Sequence, residues 1–157
     1  MPVGMALLEP TRLYAQAVLS LMEKVDIHGM AHITGGGLYE NVPRMFSGSE
    51  PLSAVVREGS WAVPPIFARI AAGCYNAGSS GPIAQKLGAD LLKNDAAMRK
   101  QMFSVFNMGI GFVLALAPED ARAAAEHLDG MGFPAWEIGY IEKAAGASAE
   151  NQGLRFA

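Results

Sequence analysis

The chain has a single cysteine, Cys74, among 157 residues, and only three histidines. One thiol excludes an intrachain disulfide, and with so few histidines it leaves too few ligands for a structural zinc site. Charge is scarce as well: charged residues make up 17%, against about 25% in an average soluble domain. The net charge is −3, the pI is about 5.6, and the Lys and Arg residues are scattered. That distribution carries no electrostatic footprint for nucleic acid. No apolar run approaches the about 18 residues of a membrane span, and no basic segment leads into an apolar one near Met1. Neither a membrane span nor a secretory signal is therefore expected, and the expected compartment is the cytoplasm. The chain also shows no internal repeat and no low-complexity tract.

What the chain does have is apolar content: 51% of residues, with a mean hydropathy of +0.20. At this length one domain spanning 1–157 is expected, burying about 68–70% of its unfolded surface. Either the core is large or an apolar face meets a partner. The low charge favours the second, so self-association or docking is expected.

Periodicity divides the chain coarsely. A helix opens at Pro10-Thr11, with Leu13, Ala17, Leu21 and Val25 on one face. Residues 27–33 read as a short strand. A second helix begins after Pro64-Pro65 and ends at Gly73. Residues 74–82 read as a loop, followed by a helix over 83–100. Residues 106–117 form a strand containing Gly109 and Gly111. Pro118-Glu119-Asp120 then starts a helix that stops at Gly130, and 135–141 is a returning strand, together a β–α–β unit. Residues 144–157 are small and polar, and are expected to be a loose tail.

The chemistry concentrates in Ala31-His32-Ile33-Thr34-Gly35-Gly36-Gly37-Leu38-Tyr39-Glu40-Asn41-Val42-Pro43-Arg44. Three successive glycines cost conformational entropy and permit φ > 0 and close approach. A nest of N–H groups around an anion uses both properties. Arg44 adds a forked cation suited to phosphate or carboxylate. The alternative is a tight strand-to-helix turn that Glu40 and Asn41 merely cap. The glycines fit neither a phosphate-binding P-loop, lacking Gly-Lys-Ser/Thr, nor a dinucleotide fingerprint, lacking the third spaced glycine. His28 and His32 stand four apart without a glutamate base, so a metal pair is not assigned. His32 is open between an anion or substrate contact and a structural hydrogen bond. Asn107 is open between amide recognition and pinning of backbone. Trp61 and Trp136 read as core or domain-interface aromatics, and His127 as exposed.

The wording of the glycine run resembles the signature of the C-terminal domain of the aminoimidazole ribonucleotide synthetase (phosphoribosylformylglycinamidine cyclo-ligase) family of purine biosynthesis. The resemblance covers nearly the whole chain. It includes Leu7-Leu8-Glu9-Pro10-Thr11-Arg12-Leu13-Tyr14, Trp61-Ala62-Val63-Pro64-Pro65-Ile66-Phe67, Phe106-Asn107-Met108-Gly109-Ile110-Gly111 and Ala135-Trp136-Glu137-Ile138-Gly139. Gln101 departs from it, standing where the family often has glutamate, and residues 73–101 depart from it as a surface insertion of loop plus helix. Selenophosphate and thiamine-monophosphate enzymes share the architecture, but the complete run favours the purine enzyme.

The resemblance implies an α+β fold, a mixed sheet layered with helices and forming one wall of a cleft. It implies ATP-driven closure of formylglycinamidine ribonucleotide: the formyl amide oxygen is phosphorylated, an internal nitrogen attacks that carbon, and phosphate leaves. It places ATP and Mg2+ mainly in an N-terminal domain that this sequence does not contain, and it implies a homodimer. To the present chain it assigns substrate or anion binding by His32, Thr34, Gly35, Gly36, Gly37, Glu40, Asn41, Arg44 and Asn107. No residue is assigned a catalytic role, and no metal or cofactor is expected on this chain alone. By itself the chain is expected to be inactive, working with an N-terminal partner. A freestanding anion-binding or regulatory domain, or an inactive fragment, is the alternative.

Overall fold

A computed structural model describes residues 3–46, 48, 50–75, 81–144 and 153–157, with side chains in 74–87 outside the described set. The elements are α1 (Val3–Leu7), α2 (Ala15–Met22), β1 (Ile27–His32), α3 (Gly37–Asn41), β2 (Leu52–Val56), α4 (Pro65–Tyr75), α5 (Gly81–Asn94), α6 (Ala96–Val105), β3 (Phe112–Leu116), α7 (Ala121–Gly130), β4 (Gly139–Lys143) and β5 (Gly153–Phe156). Short 3-10 turns follow α3 and precede α7. The arrangement is the expected α+β class, with the strands in two small sheets.

One sheet pairs β1 antiparallel with β3. The other has the order β4-β2-β5, with β4 antiparallel and β5 parallel to the central strand. β2 is buried along Ser53, Ala54, Val55 and Val56, as a strand flanked on both edges and covered on both faces must be. Around it the core gathers Ile33, Leu38, Val42, Trp61, Met102, Phe103, Met108 and Ile110. Nothing in the periodicity marks β2, because its five residues are too short a run to separate strand from buried turn.

Four expectations are corrected. The helix expected from Pro10 is α2 and begins only at Ala15, so Leu13 lies outside it and is exposed. The strand expected over 106–117 starts only at Phe112, because residues 107–110 form a turn: Ile110 N–H donates to the Asn107 carbonyl at 2.9 Å. β3 and β4 flank α7 but lie in different sheets, so they form no β–α–β unit. Local pattern marks both as strands, although β4 begins at Gly139 rather than at residue 135, and it carries nothing about which strand each pairs with. The supposed loose tail ends in β5, hydrogen-bonded beside β2, with the Phe156 ring 4.7 Å from that of Phe103. Residues 145–152 of that tail lie outside the described residues.

The 73–101 segment contains the end of α4, all of α5 and the start of α6. The single helix expected over 83–100 is broken at Asp95, which caps α6 by accepting from Met98 N–H at 3.0 Å. Of the expected loop over 74–82, residues 76–80 are outside the described residues, while α4 continues to Tyr75 and α5 starts at Gly81. α4 and α5 cross closely at Gly88, where any Cβ would overlap the Ala68 carbonyl.

Candidate functional site: the glycine turn

β1 delivers the chain to Ile33, whose N–H donates to the Gly111 carbonyl at 2.9 Å. The backbone then turns through Gly36 (φ 92) and Gly37 (φ 56) into α3. These two glycines are required by conformation and by space alike. A Cβ on Gly36 would overlap the Glu40 carboxylate, and one on Gly37 would overlap the carbonyls of Phe103 and Phe106. Gly35 has neither constraint: its φ is not positive and its Cβ would point into open space.

Asn41 organises the turn from inside. It is buried, at 3% exposure, and its amide nitrogen donates to the carbonyls of Thr34 at 3.3 Å, Gly35 at 3.2 Å and Gly37 at 2.8 Å. Its amide oxygen accepts from Arg44 Nη1 at 2.9 Å and from the Thr34 hydroxyl at 3.5 Å. Arg44 also faces the Glu40 carboxylate at 3.7 Å, with both side chains 65% exposed. Thr34, Gly35–Gly37, Glu40, Asn41 and Arg44 are thus brought together in one hydrogen-bonded unit. The carbonyls of Thr34 and Gly35 aim inward at Asn41. In a trans peptide the N–H points opposite to the C=O, so the N–H groups of Gly35 and Gly36 point away from it.

The other two candidates stand apart from this network. His32 is exposed, and its ring packs in an aromatic group: stacked with Phe112 at 6.0 Å and edge-on to Tyr14 at 5.8 Å. Asn107, half-buried, caps its own turn by accepting from Gly109 N–H at 3.0 Å. It sits in that turn rather than at a strand start. It adjoins the glycine turn through Phe106, whose carbonyl faces Gly37.

The surroundings add three facts. Tyr14 reaches across to Gly111, where a Cβ would overlap its hydroxyl, and burial raises the Tyr14 pKa while nearby Arg12 pulls it down. A cleft of about 700 Å3 separates the two sheets, with Tyr14, His28, Phe46, Trp136 and Tyr140 among its walls. His127, expected to be exposed, is half-buried and hydrogen-bonded to the Ser20 hydroxyl at 3.0 Å, joining α7 to α2. That contact leaves no local signal, since it depends on two helices meeting. Trp61 is in the core, whereas Trp136 is 48% exposed. Among the described residues no helix is long and apolar enough to cross a membrane.

Comparison with known proteins gives this geometry a family. Residues 1–150 match the family described as "AIR synthase related protein, C-terminal domain". The phosphoribosylformylglycinamidine cyclo-ligase of Clostridium novyi (strain NT) is 41% identical over 140 residues, 89% of this chain and 35% of the relative. The enzyme of the same name from Geobacillus kaustophilus (strain HTA426) is 42% identical over 153 residues, 97% of this chain and 37% of the relative. That of Bacillus velezensis is 42% identical over 147 residues, 94% and 36% of the two chains. The chain therefore spans little more than a third of the length of these relatives. With a match across nearly its full length, the chain belongs to the AIR synthase related protein, C-terminal domain family.

Proposed function

We propose that this chain is the substrate-holding C-terminal half of an ATP-dependent cyclo-ligase that converts formylglycinamidine ribonucleotide to aminoimidazole ribonucleotide. The observation that carries the reading is the Asn41 amide beneath the glycine turn, which draws in the carbonyls of Thr34 and Gly35. Two adjacent N–H groups are thereby turned outward, fixed before any ligand arrives, and suited to a phosphate or amide oxygen. Thr34 and the exposed Arg44 stand on the same unit and supply a hydroxyl and a cation. Glu40 holds Arg44 until an anion competes for it. His32 and Asn107 are secondary contacts.

ATP and Mg2+ are assigned elsewhere. We assign both to an N-terminal ATP-binding domain, in the same longer polypeptide or as a separate chain, within a cytoplasmic homodimer. Docking is supported by exposed apolar residues ahead of β1: Met5, Leu7, Leu8 and Leu13 are 58–88% exposed, with Leu19 and Met22 beyond them on α2. So many large apolar side chains left in solvent favour a partnered half over a freestanding anion-binding domain.

The test is a phosphate titration followed by amide shifts. Gly35 and Gly36 should move saturably at millimolar phosphate, and Arg44→Ala should weaken the affinity several-fold while leaving the unfolding midpoint in place. If both resonances stay still while the fold is intact, the turn is structural only and the reading fails.

A further inference from the structure

We propose that a second cavity, roofed by α5 and α6, is a binding site for a small planar aromatic monoanion. The cavity has a volume of about 300 Å3, and Trp61, Phe103 and Phe156 line it. Phe103 stands at 80° to Trp61, with centroids 6.1 Å apart, and at 62° to Phe156, with centroids 4.7 Å apart. The three rings already pack edge to face on one another, the arrangement aromatic groups prefer, and a flat apolar ring suits walls of this kind. The indole N–H of Trp61 is already committed to the Met108 carbonyl at 2.9 Å. These walls therefore offer carbon surface and no free donor.

The charge sits among the remaining lining residues. Glu58, Lys93 and Arg99 all contribute to the same cavity. Arg99 is tied down: its Nε lies 3.3 Å from Glu58 Oε1, and its Nη1 donates to the Lys93 carbonyl at 3.0 Å. Glu58 thus neutralises the guanidinium. Lys93, exposed at the end of α5, has no acidic partner among the described residues, which leaves one net positive charge at the opening. An apolar cavity with one or a few placed polar groups is the usual form of a small-molecule site. Size fits as well: an apolar cavity of about 150 Å3 already admits benzene, and this one has about twice that volume. A one- or two-ring aromatic carboxylate satisfies walls and charge together. Phe103 touches the glycine turn through its backbone carbonyl against Gly37, and the Phe156 ring packs on Tyr39 of α3. The described lining includes none of Thr34, Gly35–Gly37, Glu40, Asn41 or Arg44, so the two sites are separately testable.

Indole-3-acetate serves as the probe, titrated into the intact chain and followed by the Trp61 indole N–H and the Lys93 amide. Saturable shifts at both are expected, with Gly35 and Gly36 unmoved. The methyl ester, which lacks the charge, should bind about five-fold more weakly, and Lys93→Met should weaken indole-3-acetate by the same factor while leaving the ester unchanged. Ala89→Trp, at an exposed lining position of α5, should fill the cavity and abolish both. Absence of shifts at millimolar probe overturns the proposal. Equal affinity of acid and ester overturns it too, leaving a purely apolar pocket that a partner's aromatic side chain would fill.

Discussion

Trp61 and Met108 are joined by a fully buried hydrogen bond, the indole Nε1–H donating to the Met108 carbonyl at 2.9 Å. Met108 is the one non-glycine residue among those described with positive φ, at 51°. A left-handed backbone costs an L-residue about 1–2 kcal/mol. Here complete burial of the methionine side chain and the indole bond hold it in place. The next residue, Gly109, is itself left-handed and packed so closely on Pro64 that a Cβ would overlap the proline ring. The 107–110 turn and the residues ahead of α4 therefore fix one another.

Replacing Trp61 by Phe keeps most of the ring volume but strands the Met108 carbonyl in the core. A loss of about 1–3 kcal/mol of unfolding free energy is expected. Urea denaturation reads that value, and amide exchange at Ile110 should quicken with it. An unchanged midpoint would show that the strained turn holds itself.

The three glycines should separate cleanly. Gly35→Ala is expected within about 0.5 kcal/mol of the parent, as for an unconstrained surface site. Gly36→Ala should cost about 1–2 kcal/mol for its backbone alone, and Gly37→Ala more than Gly36→Ala, because two carbonyls would have to move. Thermal unfolding of the three variants ranks them directly. Equal effects at all three would contradict the geometry.

Asn41→Ala removes the side-chain donor shared by the Thr34, Gly35 and Gly37 carbonyls, leaving the Gly37 N–H on the Thr34 carbonyl at 3.0 Å. A loss of about 2–3 kcal/mol is expected from the abandoned acceptors and the small cavity. Phosphate shifts at Gly35 and Gly36 should vanish in the same variant even at temperatures where it remains folded. Retention of those shifts would show that the peptide orientation does not depend on Asn41.

Tyr14 sets an alkaline limit. Its folded-state pKa is raised by burial above the ordinary 10.0, so the unfolded chain loses this proton first. The stabilisation is complete below pH 10 and declines as pH rises through the ordinary value toward the raised one. Tyr39 is raised for the same reason and contributes in the same direction. The unfolding midpoint should fall as pH rises above about 10, the ordinary tyrosine pKa, and Tyr14→Phe should flatten that fall. A parent and variant with parallel profiles would remove Tyr14 from the explanation.

Phe156 tests whether the final strand matters. Its ring packs on Phe103 and lies 5.7 Å from Tyr39. Phe156→Ala is expected to cost about 2–3 kcal/mol, below the full range for a completely buried phenylalanine because Phe156 is only partly buried. A near-zero change in chemical denaturation would return the segment to the status of a tail.

Much of this was readable from residues alone. The strand at Ile27–His32, the helix after Pro64, the helix beyond Pro118 and the glycine turn all announce themselves through punctuation and periodicity, which are local properties. The resemblance in the glycine run added the family. The sequence hid what depends on distant partners: the division of strands between two sheets, β5 as a neighbour of β2, and Ser20 meeting His127. It also hid the direction in which Asn41 works, since an amide four residues after a glycine reads equally as a cap or a ligand contact. In the structure it holds backbone carbonyls, and the N–H groups it turns outward are what the proposed function needs.

The pairing of β5 with β2 sets residue 53 opposite residue 153. A contact across that much chain is slow to find, because the entropy of closing the intervening loop is spent before the pairing returns anything. During synthesis β2 emerges long before either of its neighbours, with two unfilled edges and an apolar surface. Such a strand is a template for any other extended chain nearby. β4 and then β5 each close one of those edges, and the interval before they arrive leaves this polypeptide exposed to aggregation.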